Sequence, residues 1–336
     1  MIDLTLSNPL GSTNLTVGGL GLGVAPLGNL FTPVSDTDAQ DTLTAAERLG
    51  ISWFDVAPYY GFGLAETRLG QFLSRSKAVR RTISTKVGRI LLPTDRPPAH
   101  PQYVAASPNQ PVFDYTRAGI VRSYQDSLKR LGVDRVEILL LHDVDRVSHP
   151  HGHRQLVRDL LREGLPALQR LKAEGAVDAI GLGINEWDIG YEIVASAEID
   201  CVLLAGRYTL LDHTAFASGF LDTCSRRGVS VLAGGVFNSG FLAGGAHYAY
   251  GAADRAHVEA REALLTICRR YDVELPAVAL QFTGAHPAIT SVVVGARSAN
   301  EVDAICRWSQ VEIPTKLWSD LRHAKLIPAD APVPLG

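Results

Sequence analysis

The chain is short of cysteine, carries no excess charge of either sign and lacks a long uncharged apolar run. Its 336 residues include four cysteines, Cys201, Cys224, Cys268 and Cys306, none of them in a C-x-x-C pair. That spacing supports neither a disulfide framework nor a zinc cluster and suits a reducing, cytoplasmic compartment. Lys and Arg number 32 against 35 Asp and Glu, a net charge of −3. Such a balance argues against nucleic acid as a partner, whose binders carry a basic footprint. No uncharged apolar stretch of 18 residues is available to span a membrane. Met1–Leu10 has no basic segment leading into an apolar run, so no secretory signal is expected. A Gly-x-Gly-x-x-Gly fingerprint is missing as well, because Gly19-Leu20-Gly21-Leu22-Gly23-Val24 fails at its last position.

What is present is a regular alternation. A helical stretch, a glycine and a short apolar strand follow one another at Leu49-Gly50-Ile51, Leu131-Gly132-Val133, Gly175-Ala176 and Gly228-Val229. Glycine just past a helix end takes the left-handed conformation that closes the helix and turns the chain into a strand. The intervening helices are amphipathic, with Ala39, Leu43, Ala46 and Leu49 on one face and Ile120, Tyr124, Leu128 and Leu131 on another. Strands are expected near residues 17–24, 52–56, 82–87, 136–142, 178–184, 200–205, 229–234 and 291–294, mostly as continuous apolar runs. Such runs suit parallel strands covered on both faces. Eight strand–helix units fit the length with about 42 residues each. The expectation is therefore an α/β fold, a (β/α)8 TIM barrel forming a single domain over residues 1–336, rather than two domains. Long loops are expected after strands 3, 4 and 7, including the Pro-rich 89–114 and the Gly- and aromatic-rich 235–252.

In such a barrel the site lies at the carboxyl ends of the strands. Polar residues end four of the apolar runs: Asp55, Lys86, His142 and Asn185, with Tyr60 five residues past Asp55. Taken singly, Asp55 could be a helix cap, Lys86 a solvated lysine, His142 a structural histidine and Asn185 the cap of a helix starting near Trp187. Taken together they form acid–base machinery for a carbonyl or alcohol centre. A tyrosine hydroxyl near pKa 10 is a poor acid or base at neutral pH unless a neighbouring ammonium favours the phenolate, and a buried ammonium needs a carboxylate. Trp53 and Phe54 are expected in the barrel wall. The alternating histidines of Ser148-His149-Pro150-His151-Gly152-His153 lack Cys or carboxylate ligands and are read as a solvated loop, so no metal is expected.

The set Asp55 and Tyr60 in FDVAPYYG, Lys86 in STKVG, His142 in LLLHD and Asn185 in GLGIN resembles the aldo-keto reductases. The resemblance runs from LGLGVAPLGN to VVVGARSANEV, nearly the whole chain. It implies a barrel that binds NAD or NADP without a Rossmann domain, with Tyr60 as proton donor or acceptor, Lys86 and Asp55 tuning it, His142 positioning the substrate oxygen and Asn185 holding the nicotinamide carboxamide. AGRYTLLD, GGVFNSGFLAGG and PLGNLF resemble the branch that oxidises a sugar or pyridoxal at its hemiacetal carbon, including L-fucose and D-threo-aldose dehydrogenases. Ala205 stands where most of the family has Gln, and Gly234 where an aromatic stacks on the nicotinamide; Tyr208 or Phe237 is left to stack instead. The candidate pyrophosphate cradle is Asn238-Ser239-Gly240, through backbone N–H groups. At the adenine end, Glu301 and Gly295 stand where NADP users often carry Arg or Lys, which favours NAD; Arg297 argues the other way. The partners implied are a small carbonyl or sugar substrate and no other macromolecule. Two other classes remain open: a Schiff-base aldolase using Lys86, and a non-catalytic cofactor-binding subunit.

Overall fold

The computed structural model describes residue 2, residues 7–76 and residues 81–334, so most of the Met1–Ser7 end of the expected signal-free segment lies outside the described residues. Eight parallel strands close into a barrel: β1 (Leu20–Gly23), β2 (Trp53–Asp55), β3 (Thr82–Val87), β4 (Ile138–His142), β5 (Ala179–Ile184), β6 (Cys201–Ala205), β7 (Ser230–Gly234) and β8 (Ile289–Gly295). Each pairs with its neighbour in sequence, and β8 closes onto β1. All eight expected strands exist. The first is shorter than expected, because Thr16–Gly18 instead pairs with Ser7–Pro9 in a separate antiparallel hairpin. The chain turns between Gly18 and Leu20, where two successive glycines allow it to bend.

The four glycine junctions take the left-handed conformation expected, with φ of 88° at Gly50, 65° at Gly132, 74° at Gly175 and 65° at Gly228. Helix starts are capped by side chains: Ser35 for α1 (Asp36–Arg48) and Thr116 for α3 (Arg117–Leu131) each accept from a backbone N–H in the first turn. Between these lies α2 (Leu64–Arg75). Side chains alternate across the sheet. Phe54, Leu139, Leu141, Leu182 and Val231 face the surrounding helices, whereas Trp53, Ile138, Leu140, Leu203 and Leu232 fill the barrel. Trp53 and Phe54 thus serve opposite faces of the wall. Leu10 and Val17 from the hairpin join the inner cluster and plug it from below.

The excess length lies where the barrel mouth is. After β3 the chain makes a long hairpin, Arg89–Pro93 against Asn109–Phe113. After β4 it runs through a loop into His153–Asp159, a π-helical turn at Leu160–Gly164 and a helix over Leu165–Ala173. After β7 it forms a small hairpin, His247–Tyr248 against Gly251–Ala252.

Filling the barrel with one tryptophan demands space on the next strand. A Cβ on Gly21 would stand 2.2 Å from the Trp53 ring. Gly21→Ala should therefore destabilise the protein by about 1–3 kcal/mol in denaturant melts. An unchanged midpoint would show that Trp53 does not fill the barrel as described.

Candidate active site

Asp55 closes β2, and the chain leaves it through Ala57-Pro58-Tyr59 into a turn at Tyr60–Gly63. Three left-handed residues, Gly61, Phe62 and Gly63, bend that turn back over the rim. A Cβ on Gly61 would meet the Gly28 carbonyl oxygen at 2.4 Å, so the turn after β1 is pressed against the Tyr60 backbone and fixes it. Lys86 extends from β3 in the wall and is 1% exposed. Its Nζ donates to Asp55 Oδ2 at 2.7 Å, the Val56 carbonyl at 3.0 Å and Tyr60 Oη at 2.9 Å. Ser84 Oγ donates to the other Asp55 oxygen at 2.7 Å, so both carboxylate oxygens are bonded. Three acceptors around one nitrogen call for a charged ammonium rather than a free amine. Burial, and then the Asp55 carboxylate, hold the Tyr60 hydroxyl well above its ordinary pKa. The phenol is protonated at neutral pH, and because Lys86 donates to its oxygen, its own proton is free to point into the mouth.

His142 ends β4 opposite Gly183 of β5 and is buried. Burial, assisted by the Lys86 and Arg89 cations and opposed by Asp143, pushes its imidazole down to about 3. Its ring meets Tyr60 edge-on, with centroids 5.9 Å apart. Asp55, Tyr60, Lys86 and His142 are therefore gathered at one place on the rim.

Asn185 follows β5, and it does not cap the next helix: Glu186 is the cap residue of Trp187–Ser196 and makes no capping bond. The Asn185 amide nitrogen instead donates to Asp143 Oδ1 and Asp145 Oδ2, both at 3.1 Å. Two carboxylates fix the amide orientation, since only its NH2 end can serve both, and the carbonyl end remains as an acceptor. Burial opposes ionisation of Asp143, but the 2.6 Å ion pair with Arg89 and the nearby Lys86 ammonium keep its carboxyl below the ordinary value. Asp145 accepts from Asn185 and Glu186, yet burial dominates and pushes it up to about 7. Tyr115 Oη, 2.6 Å from the His142 carbonyl, steadies the backbone where Asp143 adopts a left-handed φ of 51°.

Asn238, Ser239 and Gly240 are successively left-handed, with φ of 48°, 61° and 91°. The Ser239 and Gly240 amides have no acceptor among the described residues, and the buried Asn238 Oδ1 likewise has no partner among them. Asn238 and Ser239 line a cavity with Ala205, Gly206, Arg207 and Tyr250 at the ends of β6 and β7. Unmet amide donors at the mouth fit a phosphate-bearing ligand. The small pair Ala205 and Gly234, in register with each other, leaves this corner open. The two aromatics proposed to stack there do not face it. Tyr208 is 3% exposed, with its ring among Phe216, Phe282 and His286 in the outer layer. Phe237 packs edge-on against Trp308. Both expectations are corrected for the same reason: these rings point out to the helices, where apolar surface is buried. The aromatics that do line the cavity are Tyr248 and Tyr250, from the 235–252 loop. Gly295 ends β8, where a Cβ would crowd Pro26 at 2.8 Å. Arg297 and Glu301 are exposed and paired with each other at 2.7 Å. Of the loop histidines, His149 and His153 bond to backbone carbonyls of Asp143 and Val144.

Sequence reading missed Arg89, Asp143, Asp145 and Tyr115. Two weak signals were there: Asp143 and Asp145 sit one and three residues after His142, and Arg89 opens the Pro-rich loop.

The aldo/keto reductase family model matches residues 19–325. The chain is 41% identical over 334 residues to pyridoxal 4-dehydrogenase of Microbacterium luteolum, covering 95% of this chain and 97% of that one. It is 37% identical to D-threo-aldose 1-dehydrogenase of a Pseudomonas species, over 94% of this chain and 97% of that one. Among solved structures, the holo form of an aldo-keto reductase from Bacillus halodurans superposes with a TM-score of 0.73 at 22% identity, covering 97% of each chain. The glycerol dehydrogenase of Gluconobacter oxydans gives 0.74 at 18% identity, covering 98% and 97%.

With its pKa near 3, the His142 imidazole should show no titration in NMR spectra between pH 5 and 8. A transition near 6.5 assigned to His142 would contradict a neutral imidazole at this position.

Proposed function

The chain belongs to the aldo/keto reductase family, an oxidoreductase by that membership, and we propose that it oxidises a small aldose or pyridoxal at the hemiacetal carbon with NAD as the favoured cofactor. One observation carries the reading: Tyr60 Oη, Lys86 Nζ and Asp55 Oδ2 form an unbroken buried chain at the barrel mouth beside a neutral His142. The similarity to pyridoxal and D-threo-aldose dehydrogenases supplies the substrate class. When bound at the mouth, a nicotinamide would supply the hydride chemistry that these side chains lack.

The residues of the chain do the rest. His142 and Tyr60 receive the substrate oxygen, His142 as a neutral hydrogen-bond donor. In the oxidative direction Tyr60 first gives up its own proton to water, the Lys86 ammonium stabilising the phenolate that forms, and the phenolate then takes the hydroxyl proton. In the reductive direction the protonated phenol returns it. The Asn185 carbonyl, fixed by Asp143 and Asp145, would accept from a carboxamide NH2, and the Ser239 and Gly240 amides would hold a pyrophosphate. Preference for NAD rests on the Arg297–Glu301 pair, in which the carboxylate neutralises Arg297. The buried, reduced cysteines accord with a cytoplasmic setting. A single domain over the whole chain is part of the same reading.

The same site run in reverse is a general aldehyde or ketone reductase. A Schiff-base role for Lys86 is disfavoured by its three hydrogen bonds and its carboxylate partner, which leave no lone pair for attack. A non-catalytic subunit would have no use for the proton chain.

Nicotinamide absorbance followed with L-fucose, D-threo-aldoses and pyridoxal, with NAD and with NADP, tests the reading. Tyr60→Phe should lower turnover by about 10²–10⁴-fold while cofactor fluorescence titrations stay as in the unaltered protein. Undiminished turnover in that variant would remove Tyr60 from the mechanism.

A further inference from the structure

Tyr59 stands next to Tyr60 at the mouth and has no task in the function just proposed. Its neighbour His100 comes from the long loop inside the Arg89–Phe113 hairpin. His100 Nδ1 accepts from the backbone N–H groups of Gln102 and Tyr103, both at 3.2 Å, so that nitrogen carries no proton. Burial, with the Arg89 cation, lowers the His100 imidazole below its ordinary value, and the neutral ring holds its one proton on Nε2. Nε2 lies 2.9 Å from Tyr59 Oη, so the imidazole donates and the phenol oxygen accepts. The Arg89 guanidinium covers the same phenol ring, 3.9 Å from its centroid, and draws electron density from it. Burial keeps the Tyr59 hydroxyl protonated at neutral pH. Its own proton has no acceptor among the described residues.

The position of this spare donor matters. The Tyr59 and Tyr60 rings both meet the His142 imidazole edge-on, with centroids 6.1 and 5.9 Å away. The reacting oxygen, held by Tyr60 and His142, already has its two donors. A third donor flanking His142 meets the next polar atom along the substrate. We propose that Tyr59, polarised by His100 and Arg89, is a specificity-determining residue that donates a hydrogen bond to a second substrate oxygen on the carbon beside the reacting one. The site would thereby select carbonyls and hemiacetals with an oxygenated neighbour over those with a bare one. The inference rests on the function proposed above and narrows its substrate class.

The test compares kcat/KM for L-fucose and 2-deoxy-L-fucose, two sugars that differ at the carbon beside the hemiacetal. The unaltered enzyme should prefer L-fucose, because a site built to bond a hydroxyl discriminates against the analogue without it. Tyr59→Phe should collapse that preference by about tenfold or more, and His100→Ala should reduce it part of the way. A preference ratio equal in Tyr59→Phe and the unaltered enzyme overturns the assignment, whatever the absolute rates do. Oxidation of pyridoxal but of neither sugar overturns the inference alone, because the carbon beside the reacting one in pyridoxal bears no oxygen. An unaltered enzyme that oxidises none of L-fucose, D-threo-aldoses and pyridoxal with either cofactor overturns the function reading, and this inference falls with it. Turnover of both sugars without preference overturns the inference alone.

Discussion

The buried ion pair between Lys86 and Asp55 is the constraint on which the rest of the site depends. An ammonium 1% exposed and a carboxylate 3% exposed each carry a large desolvation cost. The 2.7 Å contact offsets it only because every remaining hydrogen-bonding position is met: Ser84 bonds the free carboxylate oxygen, and Val56 and Tyr60 take the other two lysine protons. A hydrophobic pair of similar size would be as stable or more so. The charges make sense as chemistry, since they keep one cation in contact with a phenol that burial otherwise holds protonated. Because the pair spans two adjacent strands, its geometry is as rigid as the barrel wall.

Packing around the mouth follows from where side chains are left out. Gly61 and Gly28 bring two turns into backbone contact and fix Tyr60; Gly183 leaves the Lys86 stem its path, since a Cβ there would lie 3.1 Å from it. On the other side of His142, Asp143 joins three functions. It accepts from Arg89, whose guanidinium covers Tyr59; it accepts from Asn185; and it is the chain neighbour of His142. Arg89 and Asn185 thus share one carboxylate directly beside His142, so the two sides of the site cannot shift independently.

The barrel and its four strand-end residues were legible because both rest on local rules. A glycine after an amphipathic helix marks a turn into a strand, and a polar residue ending an apolar run has only the rim to occupy. Asp55, Lys86 and His142 were found this way. What local rules do not carry is direction beyond the strand end and pairing across loops. Tyr208 and Phe237 each lie three residues past strands 6 and 7, where the chain has already turned outward, so their rings join the helix layer. The Asn185 amide reads as a helix cap until the carboxylates of Asp143 and Asp145, 42 and 40 residues earlier, are placed beside it. Arg89 and Asp143 are separated by 54 residues, and Tyr59 and His100 by 41, inside loops whose paths composition does not reveal. The N-terminal hairpin escaped notice because Thr16–Gly18 continues the apolar pattern of β1.

In the proposed mechanism the Lys86 ammonium, held in place by Asp55, makes Tyr60 able to exchange a proton at neutral pH. The double variant Asp55→Asn/Lys86→Met removes both charges together, leaves neither unpaired, and so preserves the fold. With melting temperature and cofactor binding as controls, the pH profile of substrate oxidation should lose neutral-pH turnover by about a thousandfold or more. Any residual rate should climb with pH, because without its cation the phenol ionises only at higher pH. Neutral-pH turnover within about tenfold of the unaltered enzyme, with the same pH profile, would contradict the claim.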